Sequence, residues 1–202
     1  MRRLATGGES YRHNLPMQHV SLETLKAGVA HVRDAPKDVG TVELIVRRPA
    51  EEEREVLEEA ELDAVEGLVG DNWRTRGSRA TPDGSAHPEL QLTLMNARVT
   101  ALVAQTSERW ALAGDQLYVD FDLSEANLPA GARLAVGSAV IEVTALPHTG
   151  CGKFARRFGV DAQKFINSAE GRELNMRGRN AKIVSGGTIR RGDTVRKLPA
   201  AS

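Results

Sequence analysis

Arg133-Leu134-Ala135-Val136-Gly137-Ser138-Ala139-Val140-Ile141-Glu142-Val143-Thr144 is the stretch that decides the fold. Val and Ile, branched at the β-carbon and suited to a pleated surface, supply much of its apolar content. It reads as two short strands divided by a glycine turn. The same grammar continues outward. Thr41-Val42-Glu43-Leu44-Ile45-Val46-Arg47-Arg48 alternates polar and apolar residues and is bounded by Pro49. Leu90–Leu94, Gln116–Phe121, Ala181–Ser185 and Asp193–Lys197 are further strand-like runs, with glycine turns at 113–115, 129–131 and 186–187. Many short strands with close turn punctuation predict a mainly β core with α elements, an α+β barrel or sandwich rather than βαβ repeats.

Helical periodicity appears in three places. Leu22, Leu25, Val29 and Val32 recur at spacings of three and four, with Ser21 as N-cap and Pro36 as a stop. Val99, Leu102 and Val103 share a face over 96–105, and a further helical pattern runs from Phe154 to Ala169. Residues 51–66 hold nine acids against one base, Arg54, which predicts a solvated helical face. Residues 74–88 read as a loop and residues 1–16 as a flexible tail, leaving 17–202 as a single domain.

Composition bounds the function. The 202 residues carry 27 bases and 27 acids, so a general nucleic-acid binder is not expected. Aromatic residues are scarce, which argues against base-stacking platforms. No apolar run approaches the roughly 20 residues that span a bilayer. One cysteine and no signal-peptide core point to a cytoplasmic protein with no membrane partner.

That cysteine, Cys151, lies in His148-Thr149-Gly150-Cys151-Gly152-Lys153-Phe154. Nearby cations lower a thiol's pKa, and only the thiolate attacks electrophiles or binds soft metals. His148, three residues upstream, could activate a nucleophile or tune a metal ligand, and an inert thiol beside an ordinary loop histidine is the plain alternative. Zinc is disfavoured because paired ligand spacing is missing, and no Cys–His hydrolase signature is present. From Lys153 to Lys197 twelve bases face four acids, a polarised charge suited to phosphate. Gly67-Leu68-Val69-Gly70-Asp71 and Arg191-Gly192-Asp193 read as tight turns and match neither a P-loop nor a dinucleotide fingerprint.

In order along the chain, Gly67–Asp71, Leu112-Ala113-Gly114-Asp115, Asn127-Leu128 with Gly131, Leu134–Thr144, Cys151, Arg177-Gly178, Gly186-Gly187 and Arg191-Gly192-Asp193 resemble the MOSC family, named for the molybdenum cofactor sulfurase C-terminal domain. The resemblance covers about residues 40–198. It implies a β-barrel core with flanking helices, a small stand-alone bacterial type, and Cys151 as the characteristic cysteine. In molybdenum-bearing members that thiolate ligates the metal of a pterin cofactor, molybdopterin, and basic side chains hold the pterin phosphate. Cys151 is then the expected metal ligand, His148 its tuning partner, and Arg177, Arg179, Lys182 and Lys153 the expected cofactor-binding residues. The activity implied is reduction of N-hydroxylated small molecules with a redox partner protein. The alternative is a sulfur carrier that receives a persulfide on Cys151 from a cysteine desulfurase. The chain departs from many members in having Gly150 where they have proline, and Asn72-Trp73 after Asp71 where they have histidine. The desulfurase domain that binds pyridoxal phosphate has no counterpart here, so that cofactor is not expected.

Overall fold

The computed structural model describes residues 19–200. The expected tail at 1–16 lies outside them. Eleven strands are present among the described residues: β1 (Val39–Arg47), β2 (Glu55–Leu57), β3 (Glu59–Asp63), β4 (Gly67–Leu68), β5 (Leu92–Asn96), β6 (Leu117–Asp120), β7 (Arg133–Val136), β8 (Ala139–Val143), β9 (Arg179–Ser185), β10 (Gly187–Arg190) and β11 (Thr194–Lys197). The helices are α1 (Leu22–Ala27), α2 (Val29–Arg33), α3 (Trp73–Arg76), α4 (Ala97–Ala104), α5 (Gly152–Phe158), α6 (Val160–Ile166) and α7 (Ala169–Glu173).

Seven strands close on themselves in the order β1-β11-β7-β8-β9-β5-β6, with β6 returning to β1 and β2 added at β1's free end. Only β5 and β6 run parallel, joined through α4; every other barrel pairing is antiparallel. The expected α+β barrel is the fold observed.

Two cores follow from which strand faces are covered. Inside the barrel lie Val42, Ile45, Leu92, Leu94, Leu117, Val119, Val136, Ile141 and Val195. A register shift between Val42 and Leu44 breaks the two-residue alternation of β1, so Val42 and Ile45 join the interior while Leu44 and Val46 join the second core. There Met95 and Tyr118 meet α1, α2, α4, α5 and α6 through Leu25, Val29, Val32, Val99, Phe158 and Phe165. Strands β1, β5 and β6 thus bury both faces, whereas β7 alternates buried and partly exposed residues.

The acidic segment corrects one expectation. Residues 55–63 are strands, not a solvated helix, because Glu59-Ala60-Glu61-Leu62-Asp63 alternates with a period of two. Ala60 and Leu62 face the interior cluster while Glu59 and Glu61 face water. This strand pairs with β10, unforeseen in the sequence, and with β4 in a second, three-stranded sheet. The expected helix over 22–32 is two, divided at Gly28, where an added β-carbon would lie 2.6 Å from the Leu102 side chain. The helical pattern from Phe154 onward likewise divides into α5, α6 and α7.

Candidate functional site

Two glycine–aspartate turns and two buried arginines frame one end of the barrel. Arg48, just past β1, grips Asp71 with its own backbone N–H, Nε and Nη2, each at 2.9 Å, and reaches the Gly114 carbonyl with Nη1 at 3.0 Å. Arg177 grips Asp115 with Nη1 at 2.7 Å and the Ala113 carbonyl with Nη2 at 3.1 Å. Each arginine therefore pins a carboxylate and a carbonyl of the 113–115 turn region. Arg177 also lies over the Phe154 ring, 5.3 Å from its centroid, which ties it to α5. Gly178 lets the chain pass this close: its φ is +106°, and a β-carbon there would sit 2.0 Å from the Leu94 carbonyl oxygen.

Cys151 is the N-cap residue of α5 and is exposed. The loop before it is held by Asn167, which accepts from the Gly150 N–H at 3.1 Å and donates to the Gly150 carbonyl at 3.2 Å. A β-carbon at Gly150 would meet the Ile166 side chain at 2.6 Å, so the loop lies tight against α6. Partial burial raises the thiol's pKa, but the backbone N–H groups of Phe154 and Lys153 and the charge of Arg177 outweigh it, and the net shift is downward. Cys151 is thus biased toward the thiolate.

A cleft of about 920 Å³ opens at Cys151. Its lining includes Arg48, Arg54, Arg76, Arg79, Arg157 and Arg177, together with Glu51, Glu52, His148 and Lys153. Arg54, Arg76 and Arg79 form no ion pair with a carboxylate among the described residues. Burial and the neighbouring Arg157 and Arg48 depress the pKa of Arg54; burial and Arg48 do the same for Arg76. Like charges crowded in a concave site create a field that favours an anion.

Burial, reinforced by Arg177 and Arg48, holds the pKa of His148 well below its ordinary value, so its imidazole is neutral near pH 7. Its Nδ1 is 3.5 Å from Asp115 Oδ1, and each of these two atoms is buried without a full hydrogen bond. Burial raises the pKa of Asp115 against the opposing charges of Arg177 and Arg48.

Of the residues expected from the sequence, Cys151, His148, Lys153 and Arg177 come together in this cleft. Arg179 and Lys182 are not among its lining. Arg179 pairs with Glu125, and Lys182 with Glu142 at 2.8 Å. Sequence reasoning missed Arg54, Arg76 and Arg79. Arg54 had a signal, as the single base in an acidic run. Among the described residues no three His, Cys, Asp or Glu side chains converge to hold a metal, and no helix is long and apolar enough to cross a membrane.

No family model and no curated protein matches the chain. Solved structures do. A structure described as a hypothetical protein aligns with TM-score 0.54 at 19% identity, covering 85% of this chain and 72% of its own. YiiM from Escherichia coli aligns with TM-score 0.51 at 19% identity, covering 80% and 71%. YuaD from Bacillus subtilis aligns with TM-score 0.51 at 15% identity, covering 80% and 97%. At these identities the likeness speaks to the fold, and it supports the MOSC fold.

Proposed function

We propose that this MOSC-like protein binds molybdenum cofactor through the Cys151 thiolate and reduces N-hydroxylated compounds. The observation that carries this reading is a thiol of depressed pKa at the edge of a cleft whose arginines Arg54, Arg76 and Arg79 have no carboxylate partner among the described residues. The donor set fits the group. A soft thiolate suits a thiophilic metal, and a cofactor that brings its own ligands needs only one from the protein. Arg54, Arg76 and Arg79 are the guanidinium forks available to a phosphate, in place of Arg179 and Lys182. When bound, the cofactor supplies a metal able to pass two electrons to an N–O bond.

The chain's own residues do the rest. Reduction of an N-hydroxyl group consumes two electrons and two protons and releases water. Neutral His148 can hold or hand on a proton at the cleft wall, with Asp115 beside Nδ1 to orient it. Arg177, fixed by Asp115, Ala113 and Phe154, keeps positive charge near the thiolate. The electrons come from a redox partner protein.

Protein purified from a host that makes molybdenum cofactor should contain molybdenum and reduce an amidoxime, and Cys151→Ser should lose both. Absence of molybdenum, with activity kept in Cys151→Ser, overturns the proposal. The exposure of Cys151 favours one second reading, a persulfide carrier loaded by a cysteine desulfurase. A mass gain of one sulfur after incubation with such an enzyme, lost in Cys151→Ser, distinguishes it.

A further inference from the structure

Glu51 and Glu52 sit on the turn between β1 and β2 and line the cleft beside Cys151. Lys153 Nζ lies 2.7 Å from Glu51 Oε1 and 3.0 Å from Glu52 Oε1, and Arg157 pairs with the other oxygen of Glu52. Two cations of α5, Lys153 in its first turn and Arg157 in its last, are therefore covered by two carboxylates more than a hundred residues away in the chain.

The two sides of this contact are held unequally. Arg157 is only 12% exposed, and its Nη1 donates to the Leu112 carbonyl at 2.8 Å, so it stays in place without its acidic partner. Glu51 and Glu52 are 81% and 45% exposed, on a turn in which Glu52 takes φ +62°, a left-handed conformation unusual for any residue but glycine. Exposed ion pairs of this kind contribute little to stability, because both partners are well solvated when apart. If the contact opens, the acidic turn and the half-exposed Lys153 side chain move, and Arg157 remains.

We propose that Glu51 and Glu52 form a displaceable acidic latch over Lys153 and Arg157, which an oxyanion-bearing ligand must displace to bind those two side chains beside Cys151. The carboxylates stand in for the anionic group of that ligand. This goes beyond the function proposed above and does not depend on molybdenum. The latch persists over a wide pH range. The hydrogen bond from Lys153, with Arg157 behind it, pulls the pKa of Glu52 down to about 2 against the effect of burial. The contact is therefore fully formed above the ordinary carboxylate range and is lost only as pH falls toward about 2.

Alkylation of Cys151 tests the latch. Iodoacetate carries a carboxylate and iodoacetamide does not, so the ratio of their rates reads access of an anion to the thiol, with thiolate reactivity cancelled. In Glu51→Gln/Glu52→Gln that ratio should rise about three- to tenfold, the release of two or three exposed pairs. Glu51→Asp/Glu52→Asp keeps both charges but shortens their reach, and should raise the ratio in the same direction. An unchanged ratio in the glutamine variant overturns the proposal. So does a wild-type ratio in the aspartate variant, which would leave charge without a latch. Neither outcome bears on whether Cys151 binds a metal.

Discussion

Asp71 and Asp115 stand in similar turns, Val69-Gly70-Asp71 and Ala113-Gly114-Asp115, and both are buried against an arginine, yet their hydrogen bonding differs. Asp71 is saturated: Oδ2 accepts the Arg48 backbone N–H and Nε, and Oδ1 accepts Arg48 Nη2 and the Trp73 N–H. Asp115 accepts Arg177 at Oδ2, while Oδ1 faces His148 Nδ1 at 3.5 Å and lacks a full hydrogen bond. A buried polar atom without a partner is costly, so proteins keep few of them, and those kept gather where chemistry is done. One turn is a staple. The other gives up some stability to hold a histidine and an arginine at the cleft.

The largest effect expected is the one that separates these two aspartates. Asp71→Ala orphans a backbone N–H, two guanidinium donors and the Trp73 N–H, and should cost about 3–5 kcal/mol of unfolding free energy. Asp115→Ala orphans one guanidinium donor and removes an oxygen that was already unsatisfied, so about 1–3 kcal/mol is expected. Urea denaturation of the two variants measures both. Equal losses would break the comparison.

The contrast also marks how far the sequence was legible. The strands 133–136, 139–143 and 117–120 could be read because their apolar periods are local, and so could the N-cap at Ser21. The segment 55–63 misled because nine acids in sixteen residues suggested a solvated helix, while the apolar partners Ala60 and Leu62 are few. Cys151, His148, Lys153 and Arg177 were found from a short motif and a charge excess. Arg179 carries the same charge as Arg177 and lies two residues away, but Arg177 precedes β9, Gly178 at φ +106° turns the chain between them, and Glu125 is the partner of Arg179. Which cation meets the cleft depends on long-range pairing, which residue type and local spacing do not encode.

A smaller effect sharpens the Asp115 side of the comparison. Arg177 is one of the groups that favour the Cys151 thiolate, so Arg177→Gln should move the pH profile of iodoacetamide alkylation to higher pH. The sign follows directly: without the cation the thiolate is less stable, the thiol pKa rises, and a given rate needs a higher pH. The variant should still fold. Burial already raises the pKa of Asp115, so the carboxyl can take a proton instead of remaining an unpaired buried anion. A profile unmoved in Arg177→Gln would show that backbone N–H groups alone activate the thiol.

The smallest effect belongs outside the cleft. Lys182 is 39% exposed and pairs with Glu142, which also holds Arg133 at 2.9 Å. Removing one cation from a solvated pair whose acid keeps a second partner should change stability by about 0.5 kcal/mol or less. Lys182→Gln should also leave the iodoacetate-to-iodoacetamide ratio at Cys151 unchanged, because its charge does not line the cleft. Arg54→Gln, which removes a half-buried cation that does line it, should lower that ratio. If the two variants behaved alike, total charge on the barrel would govern anion access, and the arginines of the cleft would lose their special standing.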